Sequence, residues 1–146
     1  MMKQKRGDLL NATETIIAHQ VNCYGVAGGL AGLLFAKWPE AEQDYQRRIS
    51  QTKLRQDLLG TCQLAEMKDG HLIANLFGQY HPGADTKYDA LEQALVDLAR
   101  QLEEMHVNDI ALPYKIGCGI GGGDWSKVQE IIQRTIGHMD VTIYRL

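Results

Sequence analysis

Two glycine-rich segments carry the residue types in this chain that are best suited to chemistry. One runs Asn22-Cys-Tyr-Gly-Val-Ala-Gly-Gly-Leu-Ala31, and the other runs Ile116-Gly-Cys-Gly-Ile-Gly-Gly-Gly-Asp-Trp125. Each lies between an apolar, strand-like run and a helix-like run. Because glycine has no Cβ, its backbone adopts positive φ and approaches a ligand closely, so that successive N–H groups can converge on an anion at a helix N-terminus. Two such segments predict a diphosphate ligand.

The second segment also has the spacing of a dinucleotide-binding fingerprint, in Gly117, Gly119 and Gly122. A dinucleotide-binding fold needs further strand–helix units beyond this point and an acidic ribose ligand about 20 residues on. Only one helix-like and one strand-like run follow before Leu146. The spacing therefore does not indicate a dinucleotide-dependent dehydrogenase, whereas a phosphate-binding cradle remains compatible with it.

Composition predicts one globular domain over residues 1–146, because 45% of the residues are hydrophobic and the chain is long enough to bury a core. The net charge of -3 argues against nonspecific nucleic-acid binding, which depends on many Lys and Arg contacts to phosphate.

Three cysteines without a Cys-x-x-Cys pair indicate reduced thiols and no metal site. No run of about 18 apolar residues and no signal peptide is evident, so we expect a cytoplasmic protein that needs no membrane and no cofactor.

Strand-like and helix-like runs alternate along the chain, and this predicts an α/β domain with a mostly parallel sheet and one hairpin. The turn at Lys68-Asp-Gly70 between two apolar runs favours the hairpin. Leucines four and three residues apart make the 90–102 run an amphipathic helix. The predicted strands are 15–21, 60–66, 71–77, 110–112 and 141–144, and the predicted helices are 30–38, about 40–51, 90–102 and 124–136.

The order of the motifs resembles that of the macro domains over nearly the whole chain. The motifs are Gly7-Asp-Leu-Leu10, His19-Gln-Val-Asn22, the first glycine segment, Pro39, Tyr45, Leu58-Leu-Gly60, Asn75-Leu-Phe-Gly-Gln79, Tyr88, Leu112-Pro113, Ile116-Gly-Cys-Gly119, Trp125 and Tyr144-Arg-Leu146. The chain looks most similar to the ADP-ribose 1''-phosphate phosphatase and terminal ADP-ribose glycohydrolase branches. The resemblance implies a three-layer α/β/α fold and a cleft for ADP-ribose at the carboxyl ends of the strands.

The resemblance also implies ligand contacts. Asp8, with the amide of Leu9, would bind adenine, although an aspartate here also suits a helix or turn cap. Asn22 would reach the distal ribose, unless it only forms an Asx-turn. The remaining implied ligand residues are Gly28, Gly29 and Leu30 at the distal ribose and one phosphate, Ile116, Gly117, Cys118, Gly119, Ile120 and Gly121 around the other phosphate, and Leu146 at the adenine or in edge packing.

Catalysis leaves alternatives open. In the glycohydrolase branch a lysine and an aspartate carry the reaction, and here those places hold Gln79 and Gly121, with Asp124 the nearest substitute. Asp124 could equally serve only the dipole of its helix. In the phosphatase-like branch the shared motif supplies His19 and Asn22. His19 could transfer a proton at neutral pH, or it could be a hydrogen-bonded core residue.

Two classes of function follow. The first is an enzyme that hydrolyses a group from the distal ribose of ADP-ribose, with the 1''-phosphate as the favoured group and an ADP-ribosyl or O-acetyl group as the alternative. The second is a reader that binds ADP-ribose, free or on a macromolecule, without catalysis.

Overall fold

The computed structural model describes residues 2–146, which form one six-stranded sheet covered by helices on both faces. The strand order is β1-β6-β5-β2-β4-β3. The elements are β1 (Met2–Arg6), β2 (Ile16–Val21), α1 (Gly29–Lys37), α2 (Pro39–Gln51), β3 (Cys62–Glu66), β4 (Leu72–Phe77), α3 (Tyr88–Met105), β5 (Asp109–Pro113), α4 (Trp125–Ile136) and β6 (Asp140–Arg145), together with two single-turn 3₁₀ helices, Leu9–Asn11 and Arg55–Leu58.

All neighbouring strands are parallel except β3 and β4, which form the predicted hairpin. The chain reverses at Gly70, whose φ of 95° lies in the region that glycine reaches without steric cost. The sheet is thus mixed and mostly parallel, as the alternation of patterns predicted.

Alternate residues of the central strands point to opposite faces of the sheet. In β2, Ile16 and Ala18 pack with α3 and α4, whereas Ile17 and Val21 pack with α1 and α2. Both faces are apolar, so the central strands read as nearly continuous hydrophobic runs. The result is the predicted three-layer α/β/α arrangement.

The edge strand β1 has no apolar alternation, because all of its residues after Met2 are exposed lysine, glutamine or arginine. Its place in the sheet comes from parallel backbone pairing with β6, from Met2 opposite Val141 to Arg6 opposite Arg145. Charged side chains along an exposed edge also discourage pairing with another chain.

Across residues 2–146, every helix is too short or too polar to cross a bilayer.

Candidate functional site

A cleft of about 510 Å³ opens at the carboxyl ends of β2, β4 and β5. The chain order reverses around β2, and in open α/β sheets ligands bind at such a point. Ten of the predicted ligand residues line the cleft: Asn22, Gly28, Gly29, Leu30, Ile116, Gly117, Cys118, Gly119, Ile120 and Gly121.

The first glycine loop, residues 22–28, is shaped by the side chain of Asn22. Its Oδ1 accepts hydrogen bonds from the backbone N–H of Tyr24 (2.9 Å) and of Val26 (3.4 Å), and its Nδ2 donates to the carbonyl of Val26 (2.8 Å). The hydroxyl of Tyr45 donates to the Asn22 carbonyl (2.6 Å). Asn22 lines the cleft, but its amide is engaged in the Asx-turn that the sequence left as the alternative.

This loop places the N-terminus of α1 at the cleft, and the first backbone N–H groups of the helix are free to bind a ligand. Gly28 is the N-cap and offers no side-chain cap, so the first N–H groups of the helix have no intrahelical partner. Gly29 has a φ of 52°, a conformation that a residue with a Cβ rarely adopts. A helix N-terminus of this kind attracts an anion.

The second glycine loop, residues 114–124, lies opposite and turns through positive φ at Lys115, Gly117 and Gly122. Within residues 2–146, the N–H groups of Gly119, Ile120 and Gly121 donate no hydrogen bond. The second loop reaches the start of α1, because a Cβ built on Gly29 would lie 2.8 Å from Cδ1 of Ile120. The free amides of both loops therefore border one cavity.

A network of side chains that the sequence analysis did not identify fixes the base of the second loop. Gln20 Nε2 donates to Gln79 Oε1 and to Thr86 Oγ1, both at 2.8 Å. The Thr86 hydroxyl donates to the carbonyl of Gly117 (2.8 Å), and the backbone N–H of Thr86 donates to that of Gly121 (3.1 Å). Polar residues at the end of a strand and in a loop give no periodic signal, so only the fold reveals that they meet.

Gln79 is held on both sides of its amide. Its Nε2 donates to the carbonyls of His81 (2.8 Å) and Gly83 (2.9 Å), while its Oε1 accepts from Gln20. The side chain thus closes the loop over residues 79–86. The resemblance implies a lysine at position 79, where this chain has the glutamine. An amide in this position neither forms a Schiff base nor takes up a proton at neutral pH.

His19 lies in the floor of the cleft and is almost wholly buried. Its Nε2 donates to Oδ1 of Asn75 (2.6 Å), Asn75 Nδ2 donates to Gln63 Oε1 (3.2 Å), and Gln63 Nε2 donates to the carbonyl of Asp44 (2.8 Å). The tautomer follows from this chain of donors. The ring also packs edge-on against Phe35, with 5.2 Å between centroids.

Burial lowers the pKa of His19 to about 4, and the hydrogen bond to Asn75 opposes that shift only in part. The imidazole is therefore neutral at pH 7. This environment is the one expected for a hydrogen-bonded core histidine, which is the alternative to a proton-transfer role in the sequence analysis.

Four predicted residues lie outside the cleft lining: Asp8, Leu9, Asp124 and Leu146. Asp8 caps the 3₁₀ turn that follows it, accepting from the N–H of Leu10 (3.0 Å). Asp124 caps α4, accepting from the N–H (3.0 Å) and the hydroxyl (2.9 Å) of Ser126. Leu9 is buried in the core on the face of the sheet that α1 and α2 cover, and Leu146 is exposed.

The electrostatics of the cleft favour an anion. Of the residues that line it within the described chain, none is an aspartate or glutamate, and Lys115 is the one lysine or arginine. Burial raises the pKa of the Cys118 thiol, with Asp124 adding to the effect, so this cysteine is a thiol at neutral pH. In residues 2–146, no group of three or more His, Cys, Asp or Glu side chains is arranged to hold a metal ion.

Comparison with known proteins shows what the chain resembles. Residues 10–132 match the family model described as "Macro domain". A "DNA ADP-ribosyl glycohydrolase" of Mycobacterium tuberculosis is 28% identical over 131 residues, which make up 89% of this chain and 37% of that protein. This chain thus spans well under half the length of that relative.

Two further proteins match over their whole length or nearly so. An uncharacterized 17.5 kDa protein of Enterobacteria phage T4 is 28% identical, and the alignment covers 98% of this chain and 95% of the phage protein. The solved macrodomain of Thermus aquaticus DarG superposes with a TM-score of 0.85 at 26% identity, covering 100% of this chain and 99% of that one.

Proposed function

The chain belongs to the macro domain family, and on that premise we propose that its cleft binds ADP-ribose, with the diphosphate between the start of α1 and the second glycine loop. One observation carries the proposal: two sets of unpaired backbone N–H groups border the same cavity. Gly29 contributes to one set, and Gly119 and Ile120 contribute to the other. Backbone N–H groups that bind a charged oxygen form hydrogen bonds about twice as strong as neutral ones.

Strand order gives the proposed orientation of the ligand. The carboxyl ends of β1, β6, β5, β2 and β4 follow one another along the sheet. Asp8 comes after β1, Tyr114 after β5, and Asn22 after β2. We place the adenosine toward Asp8 and Tyr114 and the distal ribose toward Asn22 and Gln79, which agrees with the roles that the resemblance implies for Asp8 and Asn22.

Asp8 retains an acceptor for this purpose. The hydrogen bond from Leu10 uses Oδ1, and a carboxylate has a second oxygen that could accept from the adenine amino group. Cap and adenine contact are therefore compatible in one side chain.

Hydrolysis of a group on the distal ribose is the second candidate, and the Mycobacterium tuberculosis glycohydrolase is the observation that favours it. In such a step water supplies an oxygen to one fragment and a proton to the other as the bond to the leaving group breaks. Gln79 provides no base, and His19 is buried and neutral. A leaving group that departs as a stable anion needs least help from a general acid. We therefore propose the 1''-phosphate as the substrate ahead of an ADP-ribosyl group linked to a nucleobase.

Calorimetric titration tests the binding proposal with ADP-ribose, ADP and AMP on one protein preparation. We expect ADP-ribose and ADP to bind at least about tenfold more tightly than AMP, because the second phosphate adds charge-assisted hydrogen bonds of about 1.5 to 3 kcal/mol each. Equal affinity for AMP and ADP-ribose would show that the glycine loops do not hold a diphosphate.

Turnover is measured separately on ADP-ribose 1''-phosphate and on ADP-ribosylated single-stranded DNA, by release of ADP-ribose. Release from the phosphate alone supports the phosphatase, and release from DNA alone supports a glycohydrolase. Tight binding of ADP-ribose without release from either substrate identifies a reader.

A further inference from the structure

Four planar side chains form a cluster on the surface beside the cleft: Tyr24, Arg55, Tyr80 and His81, named here the planar cluster. The rings of Tyr24 and His81 are stacked, with 5.2 Å between centroids and 21° between planes. Tyr80 meets both of them edge-on, at 5.4 Å and 4.8 Å. The guanidinium of Arg55 lies over the Tyr24 ring, 4.0 Å from its centroid.

The cluster is both exposed and fixed in place. The side chain of His81 is 60% exposed and Tyr24 is 37% exposed. Asp85 accepts from the backbone N–H of His81 (2.8 Å) and contacts its Nδ1 (3.2 Å), while Arg55 Nε donates to the carbonyl of Cys23 (3.1 Å). Rigid planar groups at a surface bind a flat partner with little loss of conformational entropy.

The loop of residues 22–28 and the loop of residues 79–86 are held together without these exposed rings. The backbone N–H of Cys23 already donates to the carbonyl of Tyr80 (3.0 Å), and the buried Cys23 thiol lies 3.5 Å from the carbonyl of Gln79. The stacked pair therefore adds an exposed planar surface to a junction that backbone bonds already close.

Basic residues are concentrated in the segment of the chain that contains Arg55, although the whole chain has a net charge of -3. Residues 45–56 contain four basic residues and no acidic one. Arg47 pairs with Asp44, whereas Lys53 and Arg55 form no ion pair within the described chain. Aromatic rings beside lysine and arginine are the features that single-stranded nucleic acids require, since bases stack on the rings and phosphates contact the cations.

The cluster stands at the distal-ribose end of the cleft. Asn22, Gln79, Pro82 and Gly83 line that end, and Tyr24 and His81 lie within the same two loops. A group attached to C1'' of the distal ribose would leave the cleft at this point. Resting on the proposed binding of ADP-ribose, we propose that the planar cluster stacks a nucleobase of a single-stranded nucleic acid to which the ADP-ribose is attached.

Affinity measurements on one conjugate test this proposal. The probe is a ten-nucleotide single-stranded DNA with ADP-ribose on a central base, made resistant to hydrolysis by replacing the ring oxygen of the distal ribose with carbon. We expect the conjugate to bind at least about tenfold more tightly than ADP-ribose, a factor worth about 1.4 kcal/mol. Tyr24→Ala and His81→Ala should each remove most of that gain, while the affinity for free ADP-ribose stays unchanged.

Matched variants separate stacking from folding. Tyr24→Phe keeps the ring and should keep the gain, and Leu33→Ala, at another exposed apolar residue, should have no effect. Arg55→Gln should flatten the dependence of log K on log salt by about 0.7, the slope expected for one phosphate contact to a single strand. If Tyr24→Ala unfolds the protein, His81→Ala decides the question because its ring is largely exposed.

Three results would overturn the inference. The conjugate could bind no more tightly than ADP-ribose, or its gain could survive both alanine variants. An ADP-ribosylated peptide could also gain the same affinity and lose it in the same variants, which would identify a protein partner instead. Failure of free ADP-ribose to bind would reject the proposed function. The affinity for free ADP-ribose is measured separately from the affinities for the DNA and peptide conjugates.

Discussion

The buried His19 predicts a pH-dependent loss of stability that can be measured without any ligand. Its pKa is about 4 in the folded protein, where burial disfavours the charged ring, and about 6.5 in an unfolded chain. Between these values the unfolded state binds more protons than the folded state. Stability from this residue is therefore fully present above pH 6.5 and is lost as the pH falls toward 4.

The magnitude follows from the difference between the two pKa values. Each pKa unit corresponds to about 1.4 kcal/mol, so the full loss approaches about 3 kcal/mol below pH 4. Lowering the pH from 7.5 to 5 removes about 2 kcal/mol of it. Since small domains are stable by only about 5 to 15 kcal/mol, this is a large fraction of the total.

Urea unfolding of the parent and of His19→Gln at pH 7.5 and pH 5 isolates the effect. Glutamine does not titrate and can still donate to Asn75, so the variant should lose about 2 kcal/mol less than the parent over this interval. All other titrating groups are common to both proteins and cancel in the difference. Equal losses in the two proteins would show that His19 is not buried as a neutral ring.

The same pair of proteins tests the catalytic interpretation of His19. A general base has its pKa near the working pH, whereas the buried ring is already deprotonated from about pH 5 upward. If the domain turns over a substrate, its kcat/KM should show no step near pH 6.5 that His19→Gln removes. A step of that kind would identify His19 as the proton-transfer group.

Three further predictions concern the remaining site residues. Gly119→Val should leave the melting temperature unchanged, because a Cβ there meets no atom within 4 Å, and should weaken ADP-ribose binding in calorimetry by more than about 100-fold; normal binding by this variant would refute the phosphate-binding role of the loop. The matched variant Gly121→Ala should instead destabilise the fold by about 1 to 3 kcal/mol, since its Cβ would lie 2.8 Å from the Gly117 carbonyl oxygen. Asp8→Asn should keep the cap and the melting temperature but lower ADP-ribose affinity by about 1 to 3 kcal/mol, so unchanged affinity removes Asp8 from the site. Asp124→Asn should change neither stability nor turnover, because asparagine caps α4 equally well, and a lower kcat at normal stability would make Asp124 catalytic.

Periodic patterns in the sequence predict the middle of the fold well, because burial on one face or both leaves a repeating signal. The predicted helix over residues 90–102 lies within α3, and the Asp-Gly turn forms the hairpin between β3 and β4. The edge strand β1 leaves no such signal, since its polar side chains face solvent and its backbone pairing with β6 carries no side-chain pattern.

The glycine loops were predictable for a different reason: glycine is strongly favoured where the backbone takes positive φ, as at Gly117 and Gly122. Roles of polar side chains were not predictable to the same degree. The Asn22 amide could point to a ligand or back to its own loop, and residue type alone does not distinguish the two. Three-dimensional packing decides the matter, because the amide's partners include Tyr45, a residue 23 positions away.

Gln79 shows how one polar residue can separate binding from chemistry on the same scaffold. Its amide joins Gln20 to the backbone of residues 81–83, so it stabilises the loop at the end of the cleft where we place the distal ribose. A lysine here could not accept the hydrogen bond from Gln20, because an ammonium group has only donors. The glutamine therefore fits a cleft whose walls are held rigid, and such rigidity would favour the proposed binding of ADP-ribose by lowering the entropy lost on binding. Any hydrolysis in this cleft has to rely on how the substrate and a water molecule are positioned, and on the chemistry of the leaving group, more than on a nucleophile from the protein.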